Sequence, residues 1–167
     1  RQMCIRDRKM RDIIINSLKA LEIDNYRITE TKKNCKEMFF IKQTLDMTRT
    51  EALDEWNVMV YHDDAAAEHR GAASCMIHQG MDAKEIEKTL KDAYYAAGFA
   101  MNPFYTLVEG TKEEMTEAFG SLSKVTLDEA AKRMALALFE ADNRTDSFLN
   151  SAELFVEKKT VTIINSE

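Results

Sequence analysis

The chain has 167 residues, a net charge of -6, and 45% hydrophobic and 31% charged residues. That balance fits one globular domain, or one with a small appendage, and excludes a disordered or fibrous chain. The acidic excess, with no basic patch interleaved with aromatics, argues against nucleic acid as a direct partner.

The first eight residues form a basic arm. Arg1, Arg6 and Arg8, with Lys9 and Arg11 close behind, read as a frayed or added end, so the domain is placed at 9–167. Met10, Ile13, Ile14, Leu18 and Leu21 then recur at helical spacing and predict an amphipathic helix ending near Glu22. Residues 26–33 alternate and predict a strand, with a turn at Lys33-Asn34 and a second strand over 37–48. A third strand is expected over 52–62, with Trp56, Val58 and Val60 on one face. After a charged loop, a fourth over 71–78 places Gly71, Ala73, Cys75 and Ile77 together, small residues that permit close approach of another backbone. Short links between these strands favour an antiparallel meander.

The second half opens with Asp82-Ala-Lys-Glu85, the pattern of a capping box. Ile86, Leu90, Ala93 and Ala97 follow as a narrow apolar stripe that Gly98 ends. Similar boxes at Thr111–Glu114 and Thr126–Glu129 predict a short helix to Phe119 and a longer one. The longer helix carries Leu127, Ala130, Ala131, Met134, Leu138 and Phe139 on one side and ends at Asp142-Asn143. Two final strands, 148–156 and 159–165, are expected around a turn at Glu157-Lys158-Lys159. The sum is an α+β fold of two layers, a mainly antiparallel sheet with helices packed on one face. The stop directly after a strand predicts a domain boundary at residue 167.

Motifs of catalysis are sparse. A zinc hydrolase commonly needs two histidines one helical turn apart with a nearby glutamate, and neither His-Glu-x-x-His nor its one-residue-longer form occurs. His62, His69 and His78 are the only histidines, and they are weak candidates for a metal-dependent hydrolase on a strand hairpin. Five isolated glycines make no phosphate loop, and no nucleophile elbow surrounds Ser74. Three cysteines without paired spacing, no signal segment and no apolar run of membrane-spanning length point to a cytoplasmic protein without a membrane partner. Cys75 reads as a small buried hydrophobe. Asn102-Pro103-Phe104-Tyr105 reads as a rigid link with aromatics free to meet a partner.

The order of these pieces resembles the N-terminal domain of the TldD/PmbA proteins, metallopeptidase relatives once described as modulators of DNA gyrase. The resemblance is carried by the opening helix, the polar alternating strands, Arg70-Gly71-Ala72-Ala73-Ser74, the alanine-rich helix, Asn102-Pro103-Phe104-Tyr105 with Leu107, and Asn165-Ser166. It departs at Lys33-Asn34 and after His62, where the family often has glycine. The resemblance implies a non-catalytic domain that shapes a peptide channel and a subunit interface. Zinc and its ligands would belong to a C-terminal domain absent from these residues, so no catalytic residue is assigned and the chain alone is not expected to be an enzyme. Expected partners are an unfolded peptide and a family-like subunit or second copy. Arg70, His62, Phe104 and Tyr105 are the expected contacts. A free-standing peptide- or protein-binding module using a sheet edge is the alternative.

Overall fold

A computed structural model describes residues 5–66, 68–100, 102–108, 120 and 124–166, with side chains from Lys9 onward. The expected short helix over 111–119 lies outside the described residues. The elements run α1 (Ile5–Ala20), β1 (Tyr26–Ile41), β2 (Thr44–Asp64), β3 (His69–Ile77), α2 (Ala83–Ala97), α3 (Leu127–Ala141) and β4 (Ser151–Asn165). The four strands form one antiparallel sheet in the order β3-β2-β1-β4, so the α+β two-layer architecture is observed. β1, β2 and β3 form a meander of three strands where four were expected. The expected strand 37–48 is split between β1 and β2, and its end runs on into the expected 52–62. β4 returns to lie beside β1. Among the described residues, no helix is long and apolar enough to cross a membrane.

Two of the expected turns are strand interior, and the reason is shared. Lys33-Asn34 is not a turn but the middle of β1, and Glu157-Lys158-Lys159 is the middle of β4. Lys33 reaches Glu51 at 2.9 Å and Glu157 at 3.6 Å, on the strands flanking it at either side. Ladder partners on both sides outweigh a local turn preference. The actual hairpin turn is Lys42-Gln43, where Lys42 takes the left-handed φ of 57° that a tight two-residue turn requires.

The contacts divide the chain into two compact units, one of residues 1–31, 55–112 and 161–167 and one of 32–54 and 113–160. The first holds the main core. Trp56, Val58 and Val60 of β2 and Ile77 of β3 share one sheet face, as the alternation predicts, and all are buried. Ile14 and Leu18 of α1 and Ile86, Leu90, Ala93 and Ala97 of α2 pack into the same cluster. Each of the larger side chains contributes about 1.5–3 kcal/mol by leaving water. The start of α2 carries the full capping box. Glu85 N–H donates to the Asp82 carboxylate, and Asp82 N–H to the Glu85 carboxylate, both at 2.9 Å.

The second unit has its own small core. Phe40 packs edge-on against Phe139 of α3 at 5.0 Å, and Phe39 against Phe155 of β4 at 6.1 Å. Thr126 caps α3 by accepting from Glu129 N–H at 3.2 Å. The buried positions of α3 are Ala131 and Ala135, whereas Met134, expected inside, is exposed. Small residues line that contact because a helix can then approach closely, and the flexible Met is left to the solvent side.

Gly71 on β3 fixes the distance of α2 from the sheet. A Cβ placed there would lie 1.8 Å from the Ala97 carbonyl oxygen and 2.7 Å from that of Ala100. Both are backbone atoms, so the helix end would have to move. Gly71→Ala is therefore expected to cost about 1–3 kcal/mol or more by overpacking, read as a fall in thermal midpoint. Gly98→Ala is the control. Gly98 already has a right-handed φ of -64° and a Cβ there would meet nothing nearer than 3.3 Å, so its midpoint should stay close to wild type.

Candidate functional site

The end of the β2–β3 hairpin gathers most of the singled-out residues. In the antiparallel register, His62 faces Gly71, Asp63 faces Arg70 and Asp64 faces His69. Alternation sends these pairs to opposite faces of the hairpin. Asp63 and Arg70 occupy one face. His62, Asp64, His69 and Gly71 occupy the other, continuous with the core face.

Arg70 is nearly fully buried, at 6% exposure. Its guanidinium donates to both Asp63 carboxylate oxygens, at 2.5 and 2.7 Å, and to the Tyr105 carbonyl oxygen at 2.6 Å. It also lies 4.3 Å from the centre of the Phe104 ring and 5.7 Å from that of Tyr105. The planar fork supplies bidentate pairing and ring stacking together, which a lysine ammonium cannot match. The backbone completes the latch. Arg70 N–H donates to the Asn102 carbonyl at 3.0 Å and Phe104 N–H to the Glu68 carbonyl at 2.9 Å, with Pro103 bridged to His69. Residues 102–104 thus lie along the edge of β3, joined to it by a single isolated bridge and two backbone hydrogen bonds. Phe104 and Tyr105 remain 54% and 41% exposed, so the latch holds two aromatic side chains at the surface.

The opposite face forms a cleft of about 140 Å³ against the end of α2, lined by His62, Asp64, His69, Gly71, Ala97 and Ala100. Gly98 completes its wall. The His62 ring packs against Tyr94 at 4.9 Å between centres. His78 lies elsewhere. It follows Ile77, which pairs with Trp56 at the far end of the hairpin, roughly 20 Å away at about 3.3 Å per strand residue. The three histidines therefore do not converge. Among the described residues no group of three or more His, Cys, Asp or Glu side chains is placed to hold a metal ion.

The two described cysteines are not built as nucleophiles. Burial pushes the Cys75 thiol up to about 11, and burial with the neighbouring Glu37 carboxylate raises that of Cys35. Both favour the protonated thiol, the unreactive form.

TldE from Thermococcus kodakarensis superposes with a TM-score of 0.60, at 14% identity, over 94% of this chain and 34% of its own. The chain has the TldD/PmbA-like fold. A candidate modulator of DNA gyrase from Thermotoga maritima gives 0.57 at 14% identity, over 95% of this chain and 36% of that protein. A protein of the same description from Bacteroides thetaiotaomicron gives 0.54 at 14% identity, over 97% and 40%. The chain therefore spans between a third and two fifths of the length of these proteins. No family model and no curated protein matches the sequence.

Of the four expected contact residues, the fold brings Arg70, Phe104 and Tyr105 together and sets His62 on the other face. The local pattern does not reveal Asp63 as the partner of Arg70. The signal was present in the hairpin register, once the strands extend two residues further toward the loop than the pattern alone indicates. Arg70 holds the Asp63 carboxyl below its ordinary value of 3.8. A carboxylate with a depressed folded value contributes stability at pH above 3.8, which is lost as pH falls through the lowered value. Acid unfolding of wild type should accordingly be shifted to higher pH in Asp63→Asn, which lacks this contribution. Arg70→Ala should cost about 3 kcal/mol at neutral pH, the low end for breaking such a pair because Asp63 keeps some water. Circular dichroism followed against pH and temperature reads both.

Proposed function

We propose that this chain is a non-catalytic domain that works beside a zinc-dependent peptidase centre, walling a peptide channel and contributing to a subunit interface. The observation that carries this reading is the asymmetry of the structural matches. They take in 94–97% of this chain but only 34–40% of the larger proteins. Most of each relative's length has no counterpart here, and a complete member would hold its chemistry in that remainder. Hydrolysis of peptide bonds, with zinc, would then belong to another domain or subunit.

The chain's own residues would bind and orient. An extended peptide can add to a sheet edge through main-chain hydrogen bonds, with side-chain pockets setting preference. In the observed order the edges are β3 and β4. The start of β3 is covered by residues 102–104, and this segment with the next residue offers Phe104 and Tyr105 outward instead. These two aromatics would meet the peptide, with Arg70 holding them from beneath and His62 reached from the cleft side. The rival reading, a free-standing binding module, uses the same edge and aromatics but needs no peptidase partner.

Replacing Tyr105 with benzoylphenylalanine and illuminating the protein with reduced, unfolded casein tests the contact. The expected result is a crosslinked adduct that excess short peptide competes away. A yield no higher than from the same probe at Lys88, an exposed position on α2, would sink the peptide-contact assignment.

A further inference from the structure

We propose that the uncovered edge of β3 is the subunit interface, where Ala72–Met76 pairs antiparallel with the same segment of a second copy. This pairing gives the subunit contact named above a place and a register, and so rests on that reading.

The direction of the backbone groups comes first. β3 pairs with β2 without interruption from Trp56↔Ile77 to Asp64↔His69, so its free side is a regular edge. In an antiparallel ladder, alternate residues turn both N–H and C=O to the same side. Arg70 N–H points outward, to the Asn102 carbonyl at 3.0 Å. Ala72, Ser74 and Met76 therefore point outward too. Among the described residues, none of their outward backbone groups has a partner.

An edge of this kind pairs with another chain unless something blocks it. Ala72 to Ile77 holds no charged residue and no proline, and the register shows no bulge. β4, the other edge, carries Glu153, Glu157, Lys158 and Lys159. Protection is thus built into one edge and missing from the other.

The segment also fits itself. In a two-fold pairing centred on Ser74, Ala72 lies opposite the partner's Met76, Ala73 opposite the partner's Cys75, and Ser74 opposite the partner's Ser74. Each larger side chain meets a small one, and no like charges meet. All the outward residues then exchange main-chain hydrogen bonds, two at each pair. Sliding the copies by two residues loses a pair in either direction. One slide sets Met76 against the partner's Arg70, a position whose N–H is already given to Asn102. The other sets Ala72 against the partner's His78, beyond the end of β3. A slide by one residue sets outward groups against inward ones. A foreign extended peptide could use the same backbone groups, but Ala72, Ala73 and Ser74 give its side chains little to distinguish. The matched sizes and length favour a second copy.

The test is sedimentation equilibrium of the 167-residue protein over a wide concentration range, with variants at Ser74. Wild type should form a dimer whose fraction rises with concentration. Ser74→Pro should be monomeric with an unchanged circular dichroism spectrum, because an edge strand tolerates proline where the N–H faces outward. Ser74→Lys leaves the backbone intact, brings two ammonium groups together at the axis, and should also be monomeric. It keeps the test sound if proline costs folding. Under mild oxidation Ser74→Cys should link to itself, since paired Cα atoms lie about 5.5 Å apart, within disulfide reach. Ala72→Cys should link no more than wild type, because its counterpart lies about 13 Å along the strand. A wild-type monomer at every concentration, a dimer unchanged in both Ser74→Pro and Ser74→Lys, or equal linking through Ala72→Cys would each overturn the pairing. So would a monomeric wild type whose casein capture is lost in Ser74→Pro, which would give the edge to a peptide. The casein crosslink at Tyr105 reads peptide contact and not association. A monomer that still crosslinks there would overturn this pairing and leave the peptide-contact reading standing.

Discussion

The approach of α2 to β3 at Gly71 is the constraint on which the rest of the first unit depends. Two backbone carbonyls occupy the space where any other residue would place a Cβ. This closeness lets Ala93 and Ala97, side chains of a single carbon, be buried against the sheet rather than hanging over a gap. It also fixes the axis along which Ile86 and Leu90 enter the cluster with Trp56, Val58 and Val60. Interiors packed to crystal-like density transmit such a displacement instead of absorbing it. Gly98 carries no comparable constraint. Its backbone is right-handed, and a Cβ there would meet the His62 ring only at an ordinary 3.8 Å.

From that contact the two faces of one hairpin end acquire different work. On the core side, Gly71 receives the end of α2, and His62, Asp64 and His69 line a small cleft beside it. On the other side, Asp63 neutralises Arg70, and Arg70 in turn holds residues 102–105 against the edge of β3. A buried ion pair adds little stability over a well-packed apolar pair, but it is costly to break by halves. Its value here is positional. The guanidinium needs Asp63, the Tyr105 carbonyl and the two rings in one arrangement, which ties a segment far along the chain to a defined place. An exposed β-edge is also an invitation to unwanted pairing, and the latch covers part of it while leaving two aromatics accessible.

Much of this was legible in the residues. The α2 stripe was read as Ile86, Leu90, Ala93 and Ala97, and those are the buried positions. The alternation of Trp56, Val58 and Val60, and the close approach expected along Gly71, Ala73 and Cys75, followed from period-two patterning and from small side chains. Where the reading failed, the cause was non-local. Lys33-Asn34 and Glu157-Lys158-Lys159 carry local turn character, yet flanking strands hold both segments extended. Met134 fits a helical stripe by spacing, but Ala135 allows the closer contact. Arg70 has the composition of a surface contact, and only the register that sets it opposite Asp63 reveals that it is buried. Pairing and register depend on residues distant in sequence, and a single chain's local pattern does not encode them.

The central claim is that the chemistry of a TldD/PmbA-like assembly lies outside this chain, whose own residues position and bind. Zinc content of the purified, tag-free 167-residue protein, measured by mass spectrometry after removal of loosely held metal, tests it most directly. The account predicts far less than one zinc per chain. One tightly held zinc per chain would contradict it and make His62 and His69 the first residues to replace.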